Sequence, residues 1–183
     1  NEADYKLARI ITGGNFYLVG IDKTSAPTKD DYIVSFGQNL LPDLVYRSIY
    51  GDEIANATHY VAGVADAGAI LEAGLHEGNE VDYVLVAQPV LFSKMNTSPI
   101  KDRLSVVASL RDLWKEKTGQ DAIPQAGLFI NQTQYVNHEQ QVEDYLESLE
   151  DSIMTCIEDP STMKQKIEQI GDADAQKAMF GFT

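Results

Sequence analysis

Cysteine is almost missing from this sequence: Cys156 stands alone in 183 residues. No internal disulfide can form, which suits a reducing compartment or an exported protein that does without disulfides. Basic residues are also scarce, with 14 Lys and Arg against 28 Asp and Glu and a formal net charge of -14. Phosphate binding needs a basic face, so this balance argues against nucleic acid as a partner. No apolar run approaches the roughly 20 residues of a membrane-spanning helix. The three histidines, His59, His76 and His138, lie far apart without metal-ligand spacing, and no metal or cofactor is expected. There is no G-x-S-x-G and no Cys–His pair placed for nucleophilic attack, so the chain is not expected to be an enzyme. The sequence begins NEADYK, with neither an initiator Met nor a signal peptide. That start suggests a removed leader or a piece of a longer gene product.

Apolar residues make up 44% of the chain and charged residues 23%, enough to bury a core without staples. Strand-like and helix-like segments alternate. Residues 8–11 (ARII) and Phe16–Ile21 (FYLVGI) are short apolar runs on either side of the turn Thr12-Gly13-Gly14-Asn15. Residues 21–29 are polar and carry a proline, as connectors do. Residues 32–36 (YIVSF) read as a buried strand ending at Gly37-Gln38-Asn39. A helix with Leu41, Leu44, Val45 and Ile49 on one face follows, with Pro42 in its first turn. Residues 59–64 read as the next strand. Asp66 can cap a helix through Ile70, Leu71 and Leu75 that stops near Gly78. Residues 81–90 (VDYVLVAQPV) are almost continuously apolar, the mark of a parallel strand buried on both faces.

Residues 92–104 read as a second polar connector. Residues 104–117 fit a helix with Val107, Leu110, Leu113 and Trp114 inward and Gly119 just past its end. Residues 126–130 (AGLFI) form another strand. Asn137 and Gln140 then open a long helix expected to bury Val142, Tyr145, Leu146, Leu149, Ile153 and Ile157, with Cys156 as a small core residue. Two short helical pieces, 161–170 and 173–180, finish the chain. This alternation predicts an α/β fold with mostly parallel sheets and flanking helices.

Three loops could serve a ligand. Gly13-Gly14-Asn15 lacks dinucleotide-fingerprint spacing, and reads either as a turn or as backbone that comes close to a ligand. Gly37-Gln38-Asn39 joins a strand to a helix, where free N–H groups favour anionic or polar groups. It reads equally as a βα turn capped by Asn39. Gln88-Pro89 breaks the most apolar strand, and a buried glutamine needs partners. A crossover between lobes, with Gln88 facing a cleft, accounts for both. Acidic pairs such as Asp30-Asp31 read as solvated loops.

The segments NFYLV (15–19), YIVSFGQNLLPD (32–43), EVDYVLVAQPVL (80–91), LWKEKTG (113–119) and IPQAGLFI (123–130) follow one another in an order that resembles type II solute-binding proteins of ABC transporters. The branch most resembled serves aliphatic sulfonates, nitrate and thiamine-precursor pyrimidines. The resemblance spans about residues 8–160. It implies two lobes: residues 1–30 a remnant of lobe I with a crossover, 31–90 lobe II as βαβαβ, and 91–183 the return to lobe I with C-terminal helices. It implies a small polar organic ligand held by Gly13, Gly14 and Asn15 from one lobe and by Gly37, Gln38, Asn39 and Gln88 from the other, with capture by hinge closure. It further implies an ABC permease as partner and an extracytoplasmic location, as a lipoprotein or periplasmic protein. The family often has Glu-Pro where this chain has Gln88-Pro89, which weakens any preference for a cationic ligand. The alternatives on the same fold are a thiamine-pyrimidine-synthase-like enzyme, disfavoured by the single cysteine, and an effector-sensing domain of a transcription regulator. The first lobe resembles the family without its leading strands. An exposed edge or apolar face is therefore expected, with self-association or solubility maintained by the charge.

Overall fold

The computed structural model describes residues 4–169. In chain order the elements are β1 (Tyr5–Thr12), β2 (Phe16–Ile21), β3 (Ile33–Phe36), α1 (Leu41–Tyr50), α2 (Asp52–Asn56), β4 (His59–Val61), α3 (Val64–Ala73), β5 (Leu75–His76) and β6 (Asn79–Glu80). There follow β7 (Tyr83–Ala87), α4 (Val90–Thr97), a 3-10 turn (Lys101–Arg103), β8 (Leu104–Ser109), α5 (Leu110–Thr118), β9 (Ala126–Asn131), α6 (Gln132–Asn137), α7 (Glu139–Glu158) and α8 (Pro160–Glu168). The chain is mixed α/β and divides into two compact units. Gly13–Ile123 is one. The described residues 4–12 and 124–169 belong to the other.

The unit spanning Gly13–Ile123 is built on a five-stranded sheet of order β4-β3-β7-β2-β8. Every residue of β3 and of β7 is buried. Strands so apolar need cover on both faces, and the helices provide it. α1 packs with α5, α3 packs with α4, and both pairs rest on the strands. The path β3–α1–β4 leaves β3 on one side, and β4–α3–β7 returns on the other. Right-handed crossovers in opposite directions put their helices on opposite faces. The α3–α4 approach is close because Gly68 has no side chain: a Cβ there would lie 2.5 Å from Val90 Cγ1.

The sheet is mixed rather than mostly parallel. β3 runs parallel to β4 and β7, whereas β2 is antiparallel to both β7 and β8. The helix expected over 104–117 is a strand followed by a helix. Leu104 pairs with Ile21 and Ala108 with Leu18, with Val107 bulged from the register. The helical spacing of Val107, Leu110, Leu113 and Trp114 is real only from Leu110 onward, where Ser109 Oγ accepts from the Asp112 N–H at 3.4 Å. The free edge of β2 takes residues 104–109, with the β-branched pair Val106 and Val107, into the sheet. The expected connector at 92–104 is largely α4 and the 3-10 turn. The helix after Asp66 stops at Gly74, which is left-handed at φ 68°, and the small hairpin of β5 and β6 follows. Asp66 accepts from the Gly63 N–H at 3.1 Å.

After β7 the chain does not cross at Gln88-Pro89, a cis peptide bond, but stays in the same unit until Ile123.

The other unit pairs β1 with β9, antiparallel, and lays α7 along one face of this ribbon. Leu146 is the fully buried side chain of α7, at 1% exposure. Its expected companions Tyr145, Ile153 and Ile157 are exposed: Tyr145 points to another side of the helix than Leu146, and Ile153 and Ile157 lie past Glu150, which Arg9 of the ribbon still reaches. Cys156 is half-buried and free. The helix start expected at Asn137 belongs instead to α6, which Asn131 caps by accepting from the Gln134 N–H at 3.1 Å. The expected helix at 161–170 matches α8, and that at 173–180 lies outside the described residues.

Candidate functional site

The seven residues singled out from the sequence all fall in the unit Gly13–Ile123, and all at one end of its inner strands. β3 and β7 end there, and the antiparallel β2 begins there. The register sets Ile33 beside Tyr83 and Val34 beside Val84, which carries Gly37 level with Ala87. Phe16 pairs with Ala87, so Asn15 stands next to Gln88. The strand order reverses between β3 and β7. In open α/β sheets the crevice for a ligand opens at such a reversal, beyond the carboxyl ends of the strands.

Asn15 and Gln88 are tied to each other. The Gln88 N–H donates to Asn15 O at 3.2 Å, and Asn15 Nδ2 donates to Gln88 O at 3.3 Å. The Gln88 side chain turns toward α4, where Oε1 accepts from the Phe92 N–H at 3.2 Å. Its expected partners are therefore found, but one of them is the helix start rather than a ligand. Gly13 and Gly14 pack against the chain at its exit from the unit. Gly13 O accepts from the Ile123 N–H at 3.0 Å, and Gly14 takes φ 106°, a conformation that suits glycine.

The loop at 37–39 is held from below by Asp43, whose side chain is fully buried. Asp43 accepts from the Asn39 N–H at 2.8 Å, from Tyr60 OH at 2.6 Å and from Arg47 Nε at 2.9 Å. Burial pushes the Asp43 carboxyl up, but these three donors together hold it below the usual carboxylate range. The network keeps Asn39 left-handed, at φ 61°. It also changes the expected chemistry of the helix start. The Asn39 N–H, expected to be open to an anion, already serves a carboxylate of the protein. The groups the loop still offers are the exposed side-chain amides of Gln38 and Asn39, which suit a neutral or zwitterionic polar partner.

A second concentration of polar groups lies at the opposite end, around a cavity of about 300 Å³ lined by Asp22, Lys23, Glu80, Asp82 and Arg103 among others. Its cations are engaged within the protein. Lys23 Nζ sits 2.8 Å from Asp31 and 3.2 Å from Asp82, which drive its pKa far upward. Arg103 clasps Asp22 through Nε and Nη2 at 2.8 and 2.7 Å. Asp31, expected in a solvated loop, is thus an ion-pair partner. His59 and His76, far apart in sequence, meet here. The Tyr32 ring stacks on His59 at 4.2 Å, and Tyr32 OH lies 3.0 Å from His76 Nδ1. The parallel pairing of β3 with β4 creates this cluster, and no spacing in the sequence announces it.

No known family model and no curated protein matches this sequence. Function is therefore argued from the residues themselves. Among the described residues, no group of three His, Cys, Asp or Glu is placed to hold a metal ion. No described helix is long and apolar enough to cross a membrane.

Proposed function

We propose that the chain is the extracytoplasmic solute-binding component of an ABC importer, of the type II periplasmic-binding kind, and captures a small polar or zwitterionic organic molecule for a membrane permease. One observation carries this reading. The loops at 13–15 and 88, far apart in sequence, are hydrogen-bonded to each other, and the loop at 37–39 follows the neighbouring strand, beside the point where the strand order of the sheet reverses. Gln38 and Asn39 would supply side-chain amides to the ligand, while Asn15 and Gln88 shape the adjoining wall. No chemical step is required of any of them. Closure onto a ligand would need contacts from the second compact unit as well, since all seven candidate residues belong to Gly13–Ile123.

The test is ligand-dependent thermal stability of the 183-residue chain against sulfonates, pyrimidines, nitrate and amino acids. A ligand at about 100 times its Kd stabilises by roughly 2.7 kcal/mol, a shift of several degrees. Gln38→Ala, at an exposed position, should abolish most of that shift without lowering the ligand-free midpoint. A panel in which nothing shifts the midpoint removes the reading, and an unchanged shift in Gln38→Ala moves the site elsewhere.

A further inference from the structure

We propose that the open face of the ribbon formed by β1 and β9 is a self-association surface, on which a second copy of this chain packs. The proposal is independent of the solute-capture reading, since it uses none of that site's residues.

The register of the ribbon decides which side chains share a face. Leu7 pairs with Phe129 and Ile10 with Gly127, although Leu7 and Ile10 are three residues apart. A bulge at Ala8 absorbs the odd residue and turns Ile10 to the side of Leu7. Tyr5, Leu7, Ile10 and Phe129 therefore line one face, and each is between 47% and 59% exposed. The opposite face is covered. There Leu146 of α7 is buried, and Arg9 pairs with Glu143 and Glu150. A two-stranded ribbon gains stability from layers packed on it, and this ribbon has one covered face and one open apolar face.

Three features make a second copy the fitting occupant. The first is charge. The open face bears no ionisable group except the Tyr5 phenol, whereas the chain carries -14 in all. No like charges come face to face there, so the repulsion between copies is the longer-range kind that salt screens. The second is shape. The Phe129 ring forms one wall of a cleft of about 220 Å³ that Leu7, Ile10, Pro124 and Gly127 also line. Leu7 and the Phe129 ring lean in over Gly127, where a Cβ would come within 2.7 Å of Leu7 Cδ1 and 3.3 Å of the ring. One face thus offers both a knob and a hole of about its size, as a two-fold contact requires. The third is area. Four aromatic and aliphatic side chains about half exposed present on the order of 400 Å² of apolar surface. Interfaces are a little over half apolar, so this centre belongs to about 700 Å² per partner, close to the standard size.

Sedimentation velocity of the full chain, over about 1 to 200 µM at about 0.15 M salt, reads the outcome. A reversible dimer is expected, tightened by added salt because screening relieves the repulsion between acidic chains. Phe129→Asp should weaken it tenfold or more while leaving the far-UV circular dichroism unchanged. If that variant fails to fold, Ile10→Asp on the other strand serves the same purpose. A monomer at every concentration overturns the proposal, as does a dimer that survives both substitutions or that added salt disperses.

Discussion

Replacing Asp43 by alanine tests the frame that positions the candidate ligand end. The carboxylate is fully buried and receives three hydrogen bonds, from the Asn39 N–H, Tyr60 OH and Arg47 Nε. Arg47 is 24% exposed and can turn to water when the carboxylate is gone. The Asn39 N–H and Tyr60 OH then lose an ionic acceptor. At roughly 1.5–2 kcal/mol for each bond to a charged group, the loss is about 3–4 kcal/mol, in line with removal of one partner from a buried ion pair. Trp114, the lone tryptophan, lies in α5 of the same unit, so its fluorescence in a urea titration reads this loss directly.

The pH dependence gives a second check. Burial raises the Asp43 pKa, but the donors from Tyr60, Asn39 and Arg47 lower it by more, and the folded value is depressed. A depressed carboxyl contributes stability that is present above the ordinary value near 3.9 and disappears as the pH falls through the folded value. The stability gap between the wild type and Asp43→Asn should therefore narrow below about pH 4. A loss under about 1 kcal/mol at neutral pH, or a gap that does not change on acidification, would refute this account of the network.

Two other substitutions probe separate parts of the chain. Tyr46 is fully buried and its phenol is pushed up to about 12 by burial, so its contribution is intact below about pH 10 and lost as the pH climbs toward 12. Tyr46→Phe should flatten that alkaline loss in urea titrations, and an identical decline in both proteins would show that the phenol is not its source. Leu146→Ala should destabilise the unit of β1 and β9 by about 2–4 kcal/mol, seen as faster hydrogen exchange in those strands. Equal acceleration in β3 and β7 would mean the two units unfold as one.

Much of the inner sheet was legible because its chemistry is local. Residues 33–36 and 83–87 are apolar except for Ser35, and strands buried on both faces favour such runs. Pro42 and Gly119 marked one end each of α1 and α5 because their backbone preferences act within a turn. β8 was hidden because 104–109 satisfies a helical period as well as a strand, and what excludes the helix is the free edge of β2, almost ninety residues earlier. α4 was hidden because its polar surface residues resemble a linker. The space that accepts it exists through Gly68 of α3. At the ligand end, the loops were visible as glycine and amide punctuation. That Gln88 caps α4, and that Asp43 occupies the Asn39 N–H, could not be read, since both depend on where distant side chains end.

The sequence by itself determined this protein's acidity, the alternation of its elements, and the glycine and amide punctuation of its loops. Those are properties of residue type and short spacing. The tertiary structure alone decided that the sheet is mixed, that all seven candidate residues belong to one unit, and that a bulge gathers Leu7 and Ile10 onto one apolar face. Strand order and register depend on pairing between segments up to more than a hundred residues apart. No local pattern encodes that choice, and only the packing of the whole chain selects it.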